Sequence, residues 1–193
     1  MDDLYRYSMA ARVKIVIAGP SGAGKTVIAN VLADQSDSLT ATTPTVGLRI
    51  LEIERDPPKT GRRGENKVQI ELWDSSGDHR YEKCWPAIKK DALGVVLVFG
   101  SDDPPTTMES WAANFPVRMG ISQSQCLVLI HYKSGKAGPM PQMPRQLERV
   151  SAFQTSLEDL SSIKVPFEKL FANVYAAMMA SQDMMENEIM STR

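Results

Sequence analysis

The sequence predicts a three-layer α/β domain: a mostly parallel sheet with one antiparallel edge hairpin and helices on both faces. Apolar, β-branched runs alternate with segments of helical spacing, as in βα units whose parallel strands are buried on both sides. Two neighbouring segments instead show period-two alternation, the mark of strands with one wet face. At 193 residues, 42% of them hydrophobic, the chain has apolar surface enough for one core. No internal repeat or second domain is visible. Residues 1–193 are therefore read as a single domain, with 1–11 an N-terminal tail and 188–193 a C-terminal tail.

Each element has a local cause. Val13-Lys14-Ile15-Val16-Ile17-Ala18 is a buried strand, and a helix follows over about 25–34. Between them, Gly19-Pro20-Ser21-Gly22-Ala23-Gly24-Lys25-Thr26 is a complete phosphate-binding P-loop. Strand, glycine-rich turn and helix N-terminus aim backbone N–H groups and a helix dipole at one anion. Gly19, Gly22 and Gly24 permit the tight backbone path. Lys25 is expected to neutralise the β- and γ-phosphates and Thr26 Oγ1 to sit on Mg²⁺. Ser21, Ala23 and Val27 complete the loop's nucleotide-binding set, and the fold class narrows to a three-layer P-loop NTPase fold.

A polar loop over 35–45 leads into alternating strands at 48–54 and 68–73, joined by a charged, Pro- and Gly-rich loop. They read as the antiparallel edge hairpin. Residues 94–99 are continuously apolar, as a central strand requires. A helix is expected over 106–119 and a buried strand over 127–130. Breakers Gly135, Gly138, Pro139 and Pro141 argue against a helix in 133–144. A weaker strand near 149–154 precedes a long helix over 163–187, striped by Ile163, Phe167, Leu170, Val174, Ala177 and Met178.

The formal charge of −1 argues against a nucleic-acid partner. Cys84 and Cys126 form no disulfide framework, which fits a reduced cytoplasmic setting. The histidines, His79 and His131, share no metal-ligand spacing with them. No apolar run is long enough to span a bilayer, the N-terminus does not read as a signal peptide, Asp2 excludes myristoylation and no terminal cysteine offers a prenyl site, so no direct membrane anchor is expected.

The strand at 68–73 ends in Trp73-Asp74-Ser75-Ser76-Gly77. Asp74 there can hold Mg²⁺ through water, and the Gly77 N–H can approach a γ-phosphate. Upstream, Thr45 in Thr43-Pro44-Thr45-Val46-Gly47 can complete the Mg²⁺ shell. Thr26, Thr45 and Asp74 are thus the expected metal set, and 36–47 and 75–90 are segments that a triphosphate would order.

Over nearly its whole length the chain resembles the Rab/Arf-like small GTPases. Pro-Thr-Val-Gly at 44–47 is similar to the first switch of Arf proteins, and Trp-Asp-Ser-Ser-Gly-Asp at 73–78 to the Rab motif. Gly-Asp-His-Arg-Tyr-Glu-Lys-Cys-Trp-Pro-Ala at 77–87 resembles the Rab-like subunits of intraflagellar transport complex B. That resemblance implies GTP/GDP and Mg²⁺ as cofactors, a place in the cilium or flagellum, and docking on the complex's coiled-coil core subunits.

Three departures stand out. Asp78 occupies the position of the glutamine that orients attacking water. It is shorter and anionic, so very slow hydrolysis is expected, whether it acts as a poor catalytic residue or only as a solvated turn residue. The base-reading Asn-Lys-x-Asp falls at Tyr132-Lys133-Ser134-Gly135. Lys133 can cover a purine, but Gly135 lacks the carboxylate that accepts both guanine N–H groups, so selectivity is expected to relax unless Ser134 or backbone groups compensate. Finally, 135–144 replaces a helix. The family's last motif falls at Thr155-Ser156-Leu157-Glu158, where backbone near Ser156 can reach the base. The basic trio Arg62, Arg63 and Lys67 reads as a solvated loop. Trp85 and Ile88 read either as partner contacts in the second switch or as core beneath it. Two other functions stay open: a guanylate-type nucleotide kinase, and a pseudo-GTPase scaffold holding one nucleotide permanently.

Overall fold

The computed structural model describes residues 11–35, 43–58, 67–134 and 138–191. In chain order the elements are β1 (Arg12–Ala18), α1 (Lys25–Leu32), β2 (Leu48–Arg55), β3 (Val68–Ser75), a 3₁₀ turn (His79–Cys84), α2 (Trp85–Lys89), β4 (Gly94–Gly100), α3 (Pro105–Ala112), β5 (Cys126–His131), β6 (Ser151–Thr155) and α4 (Ser161–Ser191). The six strands form one sheet in the order β2-β3-β1-β4-β5-β6. Every pairing is parallel except β2 with β3. The predicted edge hairpin is therefore present, and residues 59–66 of its connecting loop, Arg62 and Arg63 included, lie outside the described residues.

Strand alternation explains the two-sided core. In β4, Val96 and Val98 face a cluster under α1 and α4 that includes Ile15, Ile28, Phe167 and Phe171. Val95, Leu97 and Phe99 face the other cluster, with Trp85, Trp111 and Phe115. In the hairpin, Leu51 opposite Leu72 and Ile53 opposite Ile70 turn inward, while Ile50 opposite Trp73 lies on the other face and is exposed.

One reading left open is decided and two element bounds are sharpened. Trp85 and Ile88 are 6% and 2% exposed, and Trp85 packs on Trp111 and Phe115 with centroids 5.3 and 5.1 Å apart. They are core, because burying large apolar rings outweighs leaving them at a surface. The helix expected over 106–119 runs from Pro105 through Met119, widened into a π-turn over Ala113–Val117. Pro116 lacks the N–H that an α-helical bond needs there. The tail expected from 188 is helical to Ser191, although its large side chains Met184, Met185, Ile189 and Met190 are exposed. Of the expected stripe, Met178 only partly packs on the core. The other proposed tail, residues 1–11, lies outside the described residues apart from Ala11. Among the described residues between β5 and β6 there is no helix. Leu147, fully buried, anchors that connection instead.

Candidate functional site

The carboxyl ends of β1 and β3 and the start of α1 converge on a cleft of about 520 Å³. The loop between β1 and α1 takes the left-handed or otherwise positive φ values that its glycines allow: 145° at Gly19, 78° at Gly22 and 99° at Gly24. Gly24 has a second reason to lack a side chain. A Cβ there would lie 2.6 Å from Cδ2 of His131. Ser21, Gly22, Gly24, Lys25, Thr26 and Val27 line the cleft. Ala23 faces an adjoining groove, and Gly19 backs onto the Val98 carbonyl.

The three expected metal-binding side chains meet. Thr26 Oγ1 donates to Asp74 Oδ2 at 2.8 Å and lies 2.8 Å from Thr45 Oγ1, which is itself 3.4 Å from Asp74 Oδ2. Asp74 is fully buried and its Oδ1 has no partner among the described residues. Burial raises the Asp74 carboxyl above its ordinary range, against the lowering effect of the Thr26 bond, Lys25, Arg49 and Thr45. An orphaned carboxylate oxygen beside two hydroxyls is the donor chemistry that Mg²⁺ takes. Lys25 is 6% exposed, and its Nζ donates to the Pro20 carbonyl at 2.7 Å. Burial lowers it to about 8, with Asp74 and Asp103 pulling the other way. This ammonium lacks sufficient counter-charge, a deficit an anion in the cleft would remove.

At the other wall, Gly77 presses on the loop so closely that a Cβ would sit 2.3 Å from the Ser21 nitrogen. The second of the segments expected to surround a terminal phosphate thus touches the phosphate loop. Asp78 caps the 3₁₀ turn by accepting from the Arg80 backbone N–H at 2.9 Å, and its other oxygen holds the Arg80 guanidinium. Arg80 holds the Asp78 carboxyl below its usual range.

The base-side residues divide. Lys133 lines the cleft, and Ser134 lines the adjoining groove with Asp102 and Asp103. Gly135 lies outside the described residues. Tyr132 is turned away: its ring joins the second core cluster and its hydroxyl donates to the Pro139 carbonyl at 2.9 Å. The neighbouring position faces the cleft instead. His131 is 3% exposed, sits against Gly24, and its Nδ1 is 3.2 Å from Thr155 Oγ1. It thereby joins the phosphate loop to the end of β6. A polar residue closing an otherwise apolar strand was the signal for it. The Ser156 N–H is engaged by Ser162 Oγ at 3.2 Å, and Leu157 is the member of that loop lining the cleft.

Fold and site together define a P-loop GTPase domain of the Ras-like class. The family model described as "Ras of Complex, Roc, domain of DAPkinase" matches residues 14–134. "Intraflagellar transport protein 22 homolog" of Homo sapiens is 37% identical over 186 residues, covering 93% of this chain and 99% of that protein. The chain belongs to the intraflagellar transport protein 22 family. The Danio rerio homolog is 35% identical over the same coverage, and "Intraflagellar transport protein 22" of Trypanosoma brucei brucei is 30% identical over 199 residues, 89% of this chain and 90% of that one. A T. brucei crystal structure described as IFT22/74/81, GTP-bound, superposes with a TM-score of 0.73 at 30% identity, covering 88% of this chain and 98% of its counterpart. This is a GTPase-like intraflagellar transport protein of cilia or flagella, and the nucleotide-kinase alternative is set aside. Among the described residues no helix is long and apolar enough to cross a membrane.

Proposed function

We propose that the chain is a nucleotide-dependent binding module of intraflagellar transport complex B that holds GTP or GDP with Mg²⁺. The observation that carries this reading is the meeting of Thr26, Thr45 and Asp74, with one Asp74 oxygen orphaned, beside a buried, under-neutralised Lys25. Thr26, Thr45 and Asp74 would hold the ion, which neutralises phosphate charge when bound. Lys25 and the loop N–H groups would hold the phosphates. Lys133 and Leu157 would flank the base.

The GTP-bound state of the T. brucei relative and its IFT74 and IFT81 companions support guanine nucleotide as ligand and coiled-coil core subunits as partners. A partner-facing surface is available where Val46, which lines the cleft, leads into Ile50 opposite Trp73 on the hairpin's outer face. Val46 is 78% and Ile50 46% exposed. Because Thr45 precedes Val46 directly, a triphosphate that engages Thr45 would fix this apolar strip.

Hydrolysis is slow in this reading, since Asp78 offers no donor to water and is occupied by Arg80. Selectivity for guanine is relaxed, because the residue at 135 has no carboxylate. Each charge-assisted bond so lost is worth about 1.5–3 kcal/mol, so a GTP-over-ATP preference above about 10⁴ would contradict it. The deciding experiment is to release and identify the nucleotide from protein purified out of its native cell, alongside Lys25→Ala. Full occupancy in that variant would remove the mechanism.

A further inference from the structure

The cleft's Gly77 end holds a carboxylate where a terminal phosphate would come closest, which by itself opposes a triphosphate. Asp78 is not by itself, however. Its Oδ2 accepts from Nε of Arg80 at 2.8 Å and from Nη2 at 2.6 Å, and both residues line the cleft beside Gly77 and Lys25. This pairing uses the Nε–Nη2 edge of the guanidinium. The Nη1 end remains for a second oxyanion, since the planar fork carries five donors. The Arg80 side chain is 82% exposed, so a small rotation toward the cleft displaces no packing. The charges favour this contact. Besides the ion, Lys25 and Lys133 are the lysines that line the cleft, and Lys133 lies beside Gly22, so a further side-chain cation offsets the charge that Asp78 and a terminal phosphate bring together.

We propose that Arg80, steered by Asp78, is a specificity-determining residue that reads the terminal phosphate, so that this pair sets the preference for nucleoside triphosphate over diphosphate. The inference rests on the nucleotide-binding reading above and adds which residue distinguishes the two ligands.

The test is calorimetric titration of the full chain with GTP and with GDP, each with Mg²⁺. Arg80→Ala is expected to weaken GTP about tenfold, the worth of one charge-assisted contact at a wet site, and to leave GDP unchanged. Arg80→Lys recovers part of the loss, and Asp78→Asn, which keeps an acceptor for Arg80 but removes the negative charge facing the phosphate, strengthens GTP alone. Equal changes for both nucleotides, or none, in Arg80→Ala overturn the proposal while leaving nucleotide binding intact. Failure of the unaltered chain to bind either nucleotide overturns both. All these side chains are at the surface, so loss of the fold does not obscure the outcome.

Discussion

Asp74 is expected to act in opposite directions on stability and on binding. As a buried carboxylate with an orphaned oxygen it costs the ligand-free fold free energy, yet it is the anionic member of the proposed Mg²⁺ set. Asp74→Asn should therefore stabilise the ligand-free protein by about 1 kcal/mol, raising its melting point, and abolish magnesium-dependent nucleotide binding. Thermal melts with and without chelator, paired with titrations, check both signs. His131 makes a second residue-scale case. Burial, with Lys133 adding to it, lowers its folded pKa from the ordinary 6.5. The unfolded chain then takes up the proton first, so this contribution is complete above about pH 6.5 and is lost as pH falls below it. Denaturant midpoints should drop on acidification, and His131→Gln should flatten that part of the profile. His131→Ala should cost about 2–3 kcal/mol through the cavity left beneath Gly24.

Among elements, the second switch segment and the edge hairpin differ in what they bury. The turn and α2 are pinned to α3 by Trp85, Trp111 and Phe115, so Trp85→Ala should cost about 3–5 kcal/mol. On the hairpin's outer face, Ile50→Ala should change stability by no more than about 0.5 kcal/mol while weakening capture of the complex B core subunits. Urea unfolding and a pull-down on one protein set check the contrast. A destabilised Ile50 variant, or an unaffected Trp85 variant, would invert the assignment of core and surface. The hairpin itself is secured at its far end, where Arg55 donates to the Leu32 carbonyl and to Glu168. That contact ties β2 to α1 and α4.

For the whole molecule, linkage makes ligand binding a stability measurement. A nucleotide that binds only the folded chain stabilises it by RT ln(1 + [L]/Kd), about 2.7 kcal/mol at a hundredfold excess over Kd. GTP with Mg²⁺ should raise the melting temperature in a concentration-dependent way, and Lys25→Ala should erase the rise. ATP should produce a rise of comparable form if base selectivity is relaxed, whereas no rise with ATP at any concentration would count against that. The exposed apolar groups include the Val46–Ile50 strip and the last turns of α4. Of these two, the strip adjoins the cleft through Val46, which is why nucleotide state is expected to be read there.

Much of this was legible in the chain itself. The glycine-rich loop, the strand periods and the position of Asp74 at a strand's end depend on local chemistry: where backbone must turn, and which faces must be dry. Those features fixed the sheet, its edge hairpin and the phosphate end of the site. Tertiary structure decided what depends on neighbours distant in sequence. Tyr132 or His131 could each have faced the cleft, and the choice was made by the Pro139 carbonyl and Thr155. Trp85 could have been a contact or a core residue until Trp111 and Phe115 were seen beneath it. Asp78 reads as a bare negative charge until Arg80 is found holding it. Periodicity records which side of a strand is apolar, but the partner that a polar or aromatic group finds is set by packing across the whole fold.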